Sequence, residues 1–285
     1  MRSSNPVFSR RGFSRGEGYA GFGGAQPQTQ PQGSPYAGGN PYAGTNPYDT
    51  ATYQAPPAAP VQTGRMTMDD VVSKTAITLG TVVVGALLAW FVLPVSPGSW
   101  TLAGGAGLVA FVLYVIQMFK RRPVPGLILG YAAFEGIALG IISEMYNTVW
   151  SGAPVQAVLG TMAVFAGMLV AYRTRLIRVT RRYYRIGMGI AVGFLILIVI
   201  NLIAAAIGGG DGLGLRSGGL GIAVGVIGVL LGAFFLSLNF KEIEDGVRYG
   251  APANEAWWAA FGLTLSLIWI YLELLRLIAI LRGDD

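Results

Sequence analysis

Few side chains in this sequence could do chemistry, and those few stand where they are costly. Glu135, Glu273 and Arg276 fall inside long apolar stretches. An ionisable residue at the centre of a bilayer costs on the order of 3 kcal/mol on insertion scales, so it needs a reason to be there. Glu273 and Arg276 are three residues apart, on one helical face, and can pair. Arg276 could also reach toward the interface through its long stem. Glu135 lies eleven residues into its stretch, roughly 16 Å deep, with Tyr131 as its one polar neighbour on that stretch. A lone acid at that depth stays protonated, bonds polar groups on another helix, or faces a water-filled path. These groups could bind and release protons, and their oxygens could meet a hard cation in passing. Asn201 and Asn239 are intramembrane amides, of the kind that fasten helices together. Glu144 closes its stretch and reads as interfacial.

Missing residue types exclude other chemistry. The sequence has no His and no Cys, so disulfides, zinc–thiolate sites, haem ligation by His and Ser–His or Cys–His catalysis are ruled out. Ser217 stands among glycines with no base to activate it and reads as loop. No enzyme and no bound cofactor are expected. The formal charge of +6 invites a nucleic-acid reading, but the placement of the charges argues against one.

The elements that must hold these residues are apolar helices. Of 285 residues, 53% are hydrophobic and 12% are charged, against about 25% charged in a typical soluble domain. Residues 75–119 carry no acid or base. Seven hydrophobic spans are expected at 75–95, 100–119, 124–144, 155–172, 186–207, 219–239 and 256–281. Twenty helical residues rise roughly 30 Å, the thickness of the hydrocarbon core. Thr67, followed by Asp69 and Asp70, reads as a capped helix start. Phe240, Ile243 and Val247 keep helical spacing, so the sixth helix should run past its apolar span and end at Gly250 and Pro252. Asn254 could cap the seventh, with Trp257 and Trp258 at the interface. The pairs Gly221/Gly225 and Gly228/Gly232 have the spacing of close helix contacts.

The loops at 120–122, 173–185 and 240–255 hold eleven Lys and Arg residues, and the alternating loops hold one, Arg216. Positive loops stay cytoplasmic. This places the N-terminus inside and, with seven full spans, the C-terminus outside; a re-entrant last segment would reverse the latter. Residues 1–65 form a separate region before the membrane domain, 66–285. Its first 64 positions include 20 Pro or Gly residues, the composition of a disordered tether. A short Pro–Tyr repeat, at Pro35-Tyr36, Pro41-Tyr42 and Pro47-Tyr48, could instead dock a protein. No secretory signal is visible, so the first span should serve as the insertion signal.

Four stretches together resemble one family. They are Met66–Thr75; Phe134-Glu135-Gly136-Ile137; Asn239–Glu244 with Gly250-Ala251-Pro252; and Ala259–Leu263 with Tyr271–Leu277. Over about residues 66–281 the chain looks like a bacterial member of the Bax inhibitor-1, or transmembrane Bax inhibitor motif, family. The resemblance implies an all-α, seven-helix membrane fold with the last helix central. It also implies a pH-sensitive calcium leak, sensed by one acid late in the sixth helix and one in the seventh. On that pattern Glu273 takes the seventh-helix place and Asn239 stands where the sixth-helix acid belongs. An amide cannot share a proton as a carboxyl does, so the pH response should be lost or moved. Glu135 matches the acid of the third-span motif.

The expected protein sits in the bacterial inner membrane. It passes calcium slowly, gated by protonation at Glu273 and Glu135, with Asn239 and Arg276 beside the gate. The rival is a non-conducting scaffold, whose tail or cytoplasmic loops bind a membrane protein such as a protease. Secondary transport would favour repeated halves, and no internal repeat is evident.

Overall fold

The computed structural model describes residues 64–93, 96, 98–208, 214–215 and 217–283. The chain divides into two units, Met1–Ala58 and Ala59–Asp285, and every described residue belongs to the second. The expected tail, apart from its last two residues, lies outside the described residues, as do Arg216, Asp284 and Asp285.

Among the described residues seven α-helices follow one another: α1 Met68–Val92, α2 Ser99–Phe119, α3 Pro125–Val149, α4 Ala153–Arg173, α5 Arg181–Gly208, α6 Gly218–Tyr249 and α7 Ala256–Gly283. All seven are long and apolar enough to cross a membrane. Their surfaces agree with that setting. Phe91 of α1, Phe119 of α2 and Ile207 of α5 are 80%, 84% and 84% exposed, which water would penalise and lipid would not. α7 has 28 residues, a rise of about 42 Å. It is long and apolar enough to cross a bilayer in one pass.

The helix ends follow their local chemistry. Thr67 and Asp70 close a reciprocal capping box at the start of α1. α6 continues ten residues beyond its apolar span, as its spacing requires, and stops at Gly250, whose φ is +69°. That left-handed conformation suits glycine. Asn254 does not cap α7. It lies within a single 3-10 turn, Ala253–Glu255, and its buried Oδ1 has no hydrogen-bond partner among the described residues. The turn satisfies the backbone in its place, with Glu255 N donating to Pro252 O.

α7 is central, packing on α6, α1, α4 and α3, while α5 rests chiefly on α6. α1 and α3 meet backbone to backbone. A Cβ at Gly136 would lie 2.3 Å from Val82 O, and one at Gly140 would lie 2.2 Å from Ala86 O. Only glycine fits there. We call the end carrying residues 120–124, 174–180 and 250–255 the basic end.

Candidate functional site

The site is built on the antiparallel seam between α6 and α7. On α6 the glycines at 225, 228 and 232 turn one bare strip of backbone toward α7. A Cβ at Gly232 would lie 2.4 Å from Ile270 Cγ1, and one at Gly225 would lie 3.0 Å from Leu277 Cδ1. At Gly228 the intruder would meet Glu273, with Cδ and Oε2 both at 2.8 Å. The Glu273 carboxylate therefore rests on helix backbone, in space that any side chain at 228 would occupy. Trp269 seals the same level by donating its Nε1–H to Gly228 O at 3.0 Å.

Glu273 and Arg276 pair as their spacing implies. Arg276 Nη2 lies 2.7 Å from Glu273 Oε2, and the two residues are 7% and 9% exposed, Arg276 the less. Arg276 does not escape to the interface. Its Nη2 lies 3.5 Å from where a Gly225 Cβ would be. Two charges buried at membrane depth hold each other strongly, because removing either leaves the other in a poor solvent. Asn201 of α5 is also buried, at 4% exposure. Phe194 of α5 meets Trp269 of α7 edge-on.

Asn239 does not join this pair. Its Nδ2 donates to Gly262 O at 3.0 Å and to Ser266 Oγ at 2.7 Å. In the antiparallel register the α6 residue facing Glu273 is Gly228, eleven residues from Asn239, or about 16 Å along the helix. The expected juxtaposition of Asn239 and Glu273 is thus corrected. The residue across from Asn239 is Ser266, two turns before Glu273, and the two make a neutral hydrogen bond where Asn239 was expected to face Glu273. The sequence offers one clue, a small polar residue in an apolar helix.

Glu135 stands apart as well. Tyr131, one turn before it, meets Phe261 edge-on at 5.2 Å, and Ser143 and Tyr271 bond through their hydroxyls at 2.5 Å. Both helices run from the basic end, so Glu135 lies about ten residues, or about 15 Å, nearer that end than Glu273. Glu144 is expected at the interface. Its Oε2 is buried with no hydrogen-bond partner among the described residues.

At the basic end a cavity of about 720 Å³ opens between α5, α6 and α7 and reaches down to Asn239. Glu242, Asp245 and Glu255 line it with one base, Lys241, which is bridged to Asp245. Its lining is net acidic, which favours cations. Among the described residues no group of three His, Cys, Asp or Glu side chains could hold a metal ion.

No curated protein matches the chain. A family model described as Bax inhibitor 1 like matches residues 5–283, nearly the whole sequence, and the seven-helix fold and central α7 agree with it. The chain is an integral membrane protein belonging to the Bax inhibitor 1-like family.

Proposed function

We propose that the protein provides a slow, pH-gated path for cations, calcium foremost, through the α6–α7 seam. The observation that carries this reading is the Glu273–Arg276 pair, buried in the central helix against a glycine strip. In the described state the seam is shut. Between Asn239 and Glu273 it is filled by apolar packing, including Leu236 and Ile270, both fully buried. Conduction therefore needs α6 and α7 to part. Protonating Glu273 would take from Arg276 its counter-charge at membrane depth, and the guanidinium would then draw in water or carbonyl oxygens. That loosens the seam, so flux should rise as pH falls. The other groups able to titrate near this level are few. Among the described residues, α6 presents glycines, the α5 span 186–207 has no ionisable side chain, Tyr271 is bonded to Ser143, and α3 brings Glu144 and Tyr146, with Glu135 nearer the basic end.

The eleven-to-one excess of basic residues in alternate loops supports a cytoplasmic N-terminus and a cytoplasmic acidic cavity; the membrane in this reading is the inner membrane of a bacterium. Calcium would use carboxylate, amide and carbonyl oxygens in turn. The reading assigns no catalysis.

One observation favours a second reading. Asn239 fastens α6 to α7 through neutral bonds, which suits a static scaffold that binds a membrane protein partner through its cytoplasmic loops or tail. Purified protein in liposomes containing a calcium indicator separates the two. Calcium entry above that of protein-free liposomes, faster at acidic than at neutral pH, supports the leak; entry equal to protein-free liposomes at both pH values supports the scaffold.

A further inference from the structure

The residues just ahead of α1 bind the turn between α6 and α7. Met66 N donates to Ala251 O at 2.7 Å, and Ala253 N donates to Gly64 O at 2.9 Å. Arg65 and Pro252 thereby face each other as an antiparallel bridge. In this pattern they form the closely spaced, non-hydrogen-bonded pair. The Met66 side chain is 4% exposed and packs with Phe240, Ile243 and Leu263. Its Sδ lies 3.1 Å from where a Cβ at Gly246 would be. Lys74, on the second turn of α1, donates to Ala253 O at 2.6 Å and lies over the Trp257 ring. The capping box at Thr67 and Asp70 makes 64–66 and α1 continuous.

Met66 is also a wall of the acidic cavity that ends at Asn239. We propose that residues 64–66 are a strap that fastens the basic end of the α6–α7 hairpin, and that releasing it frees the hairpin and opens the cavity wall. Residues 1–63 precede Gly64 in the sequence, so a partner that holds them can pull directly on the fastener. What the strap controls rests on the leak reading; that the strap holds the hairpin rests on these contacts alone.

The sequence contains no Cys, so Arg65→Cys/Pro252→Cys introduces the only two thiols, at exposed positions whose spacing in such a pair suits a disulfide. Oxidation locks the strap, and reduction restores it in the same protein. Ala253→Pro does the opposite. Pro252 already has φ −57° and ψ 144°, the conformation favoured before proline, and Ala253 begins a 3-10 turn. The substitution thus spares the turn while removing the N–H that bonds Gly64 and setting the ring's Cδ against that carbonyl oxygen. Losing one such hydrogen bond shifts the fastened–released balance by about fivefold, equivalent to about 1 kcal/mol.

Two readouts are taken in liposomes. Amide hydrogen exchange over 240–262 should slow on oxidation and quicken several-fold in Ala253→Pro. Calcium entry should fall on oxidation, recover on reduction, and rise about fivefold in Ala253→Pro. Exchange that is the same in locked, reduced and Ala253→Pro proteins overturns the strap, whether or not the protein conducts. Exchange that responds while the wild type passes no calcium upholds the strap and removes the leak reading. A wild type that conducts, with flux indifferent to the lock, overturns the strap as a control of the path.

Discussion

Replacing Glu273 and Arg276 singly and together by Met tests whether the buried pair acts as a unit. The charges lie 2.7 Å apart. At an effective dielectric constant of about 20 their attraction is about 6 kcal/mol, much of it offset by the cost of desolvating both groups. Removing one member cancels the attraction but leaves the other charge buried, which costs about 3–5 kcal/mol. Removing both leaves two apolar side chains of similar length against Gly225 and Gly228, and the desolvation cost disappears as well. The double variant should therefore lose less than the sum of the singles by about 2–4 kcal/mol. Equilibrium unfolding in mixed detergent micelles, followed by tryptophan fluorescence, gives the four free energies of the cycle. Additive single losses, or singles that each cost less than about 1 kcal/mol, would refute the claim that these charges meet in a water-poor seam.

Three further outcomes are expected. Gly136→Ala should lower stability by about 2–3 kcal/mol, because its Cβ would meet Val82 backbone, whereas Gly104→Ala, with nothing within 4 Å, should not destabilise; equal thermal unfolding of the two would contradict the α1–α3 contact. A single thiol at Ser151→Cys should react with an impermeant reagent in intact cells and one at Thr180→Cys should not; the reverse pattern would invert the topology. Asn239→Asp places a carboxyl against Gly262 O and Ser266, about 16 Å from Glu273, so the pH profile of calcium entry should gain a second step; one step merely displaced would mean that the two positions act as a pair.

The spans were legible because the signal is large. Twenty apolar residues with almost no charge have few other solutions, and α2 and α7 begin and end within two residues of expectation. The Thr67 cap and the Glu273–Arg276 pair were legible because both are local, set by separations of three residues. What stayed hidden depends on how one helix slides against another. Periodicity places Asn239 on a face of α6 but does not fix the register of α7, and so Ser266, not Glu273, faces it. The glycines suggested close packing, yet nothing local showed that Gly228 makes room for a carboxylate. The strap was invisible for the same reason: residues 64–66 find their partners at 251–253, about two-thirds of the chain away. Asn254 shows the converse error, a local capping preference overridden by the 3-10 turn that the fold imposes.

The central claim is that Glu273 gates a cation path. Calcium entry into liposomes should be compared for wild type and Glu273→Gln from acidic to neutral pH, with both proteins first shown to be folded. The account predicts wild-type flux that rises toward acidic pH and a Glu273→Gln flux that no longer depends on pH across this range. A folded Glu273→Gln protein with wild-type flux and wild-type pH response would contradict it, and would remove this residue from the mechanism.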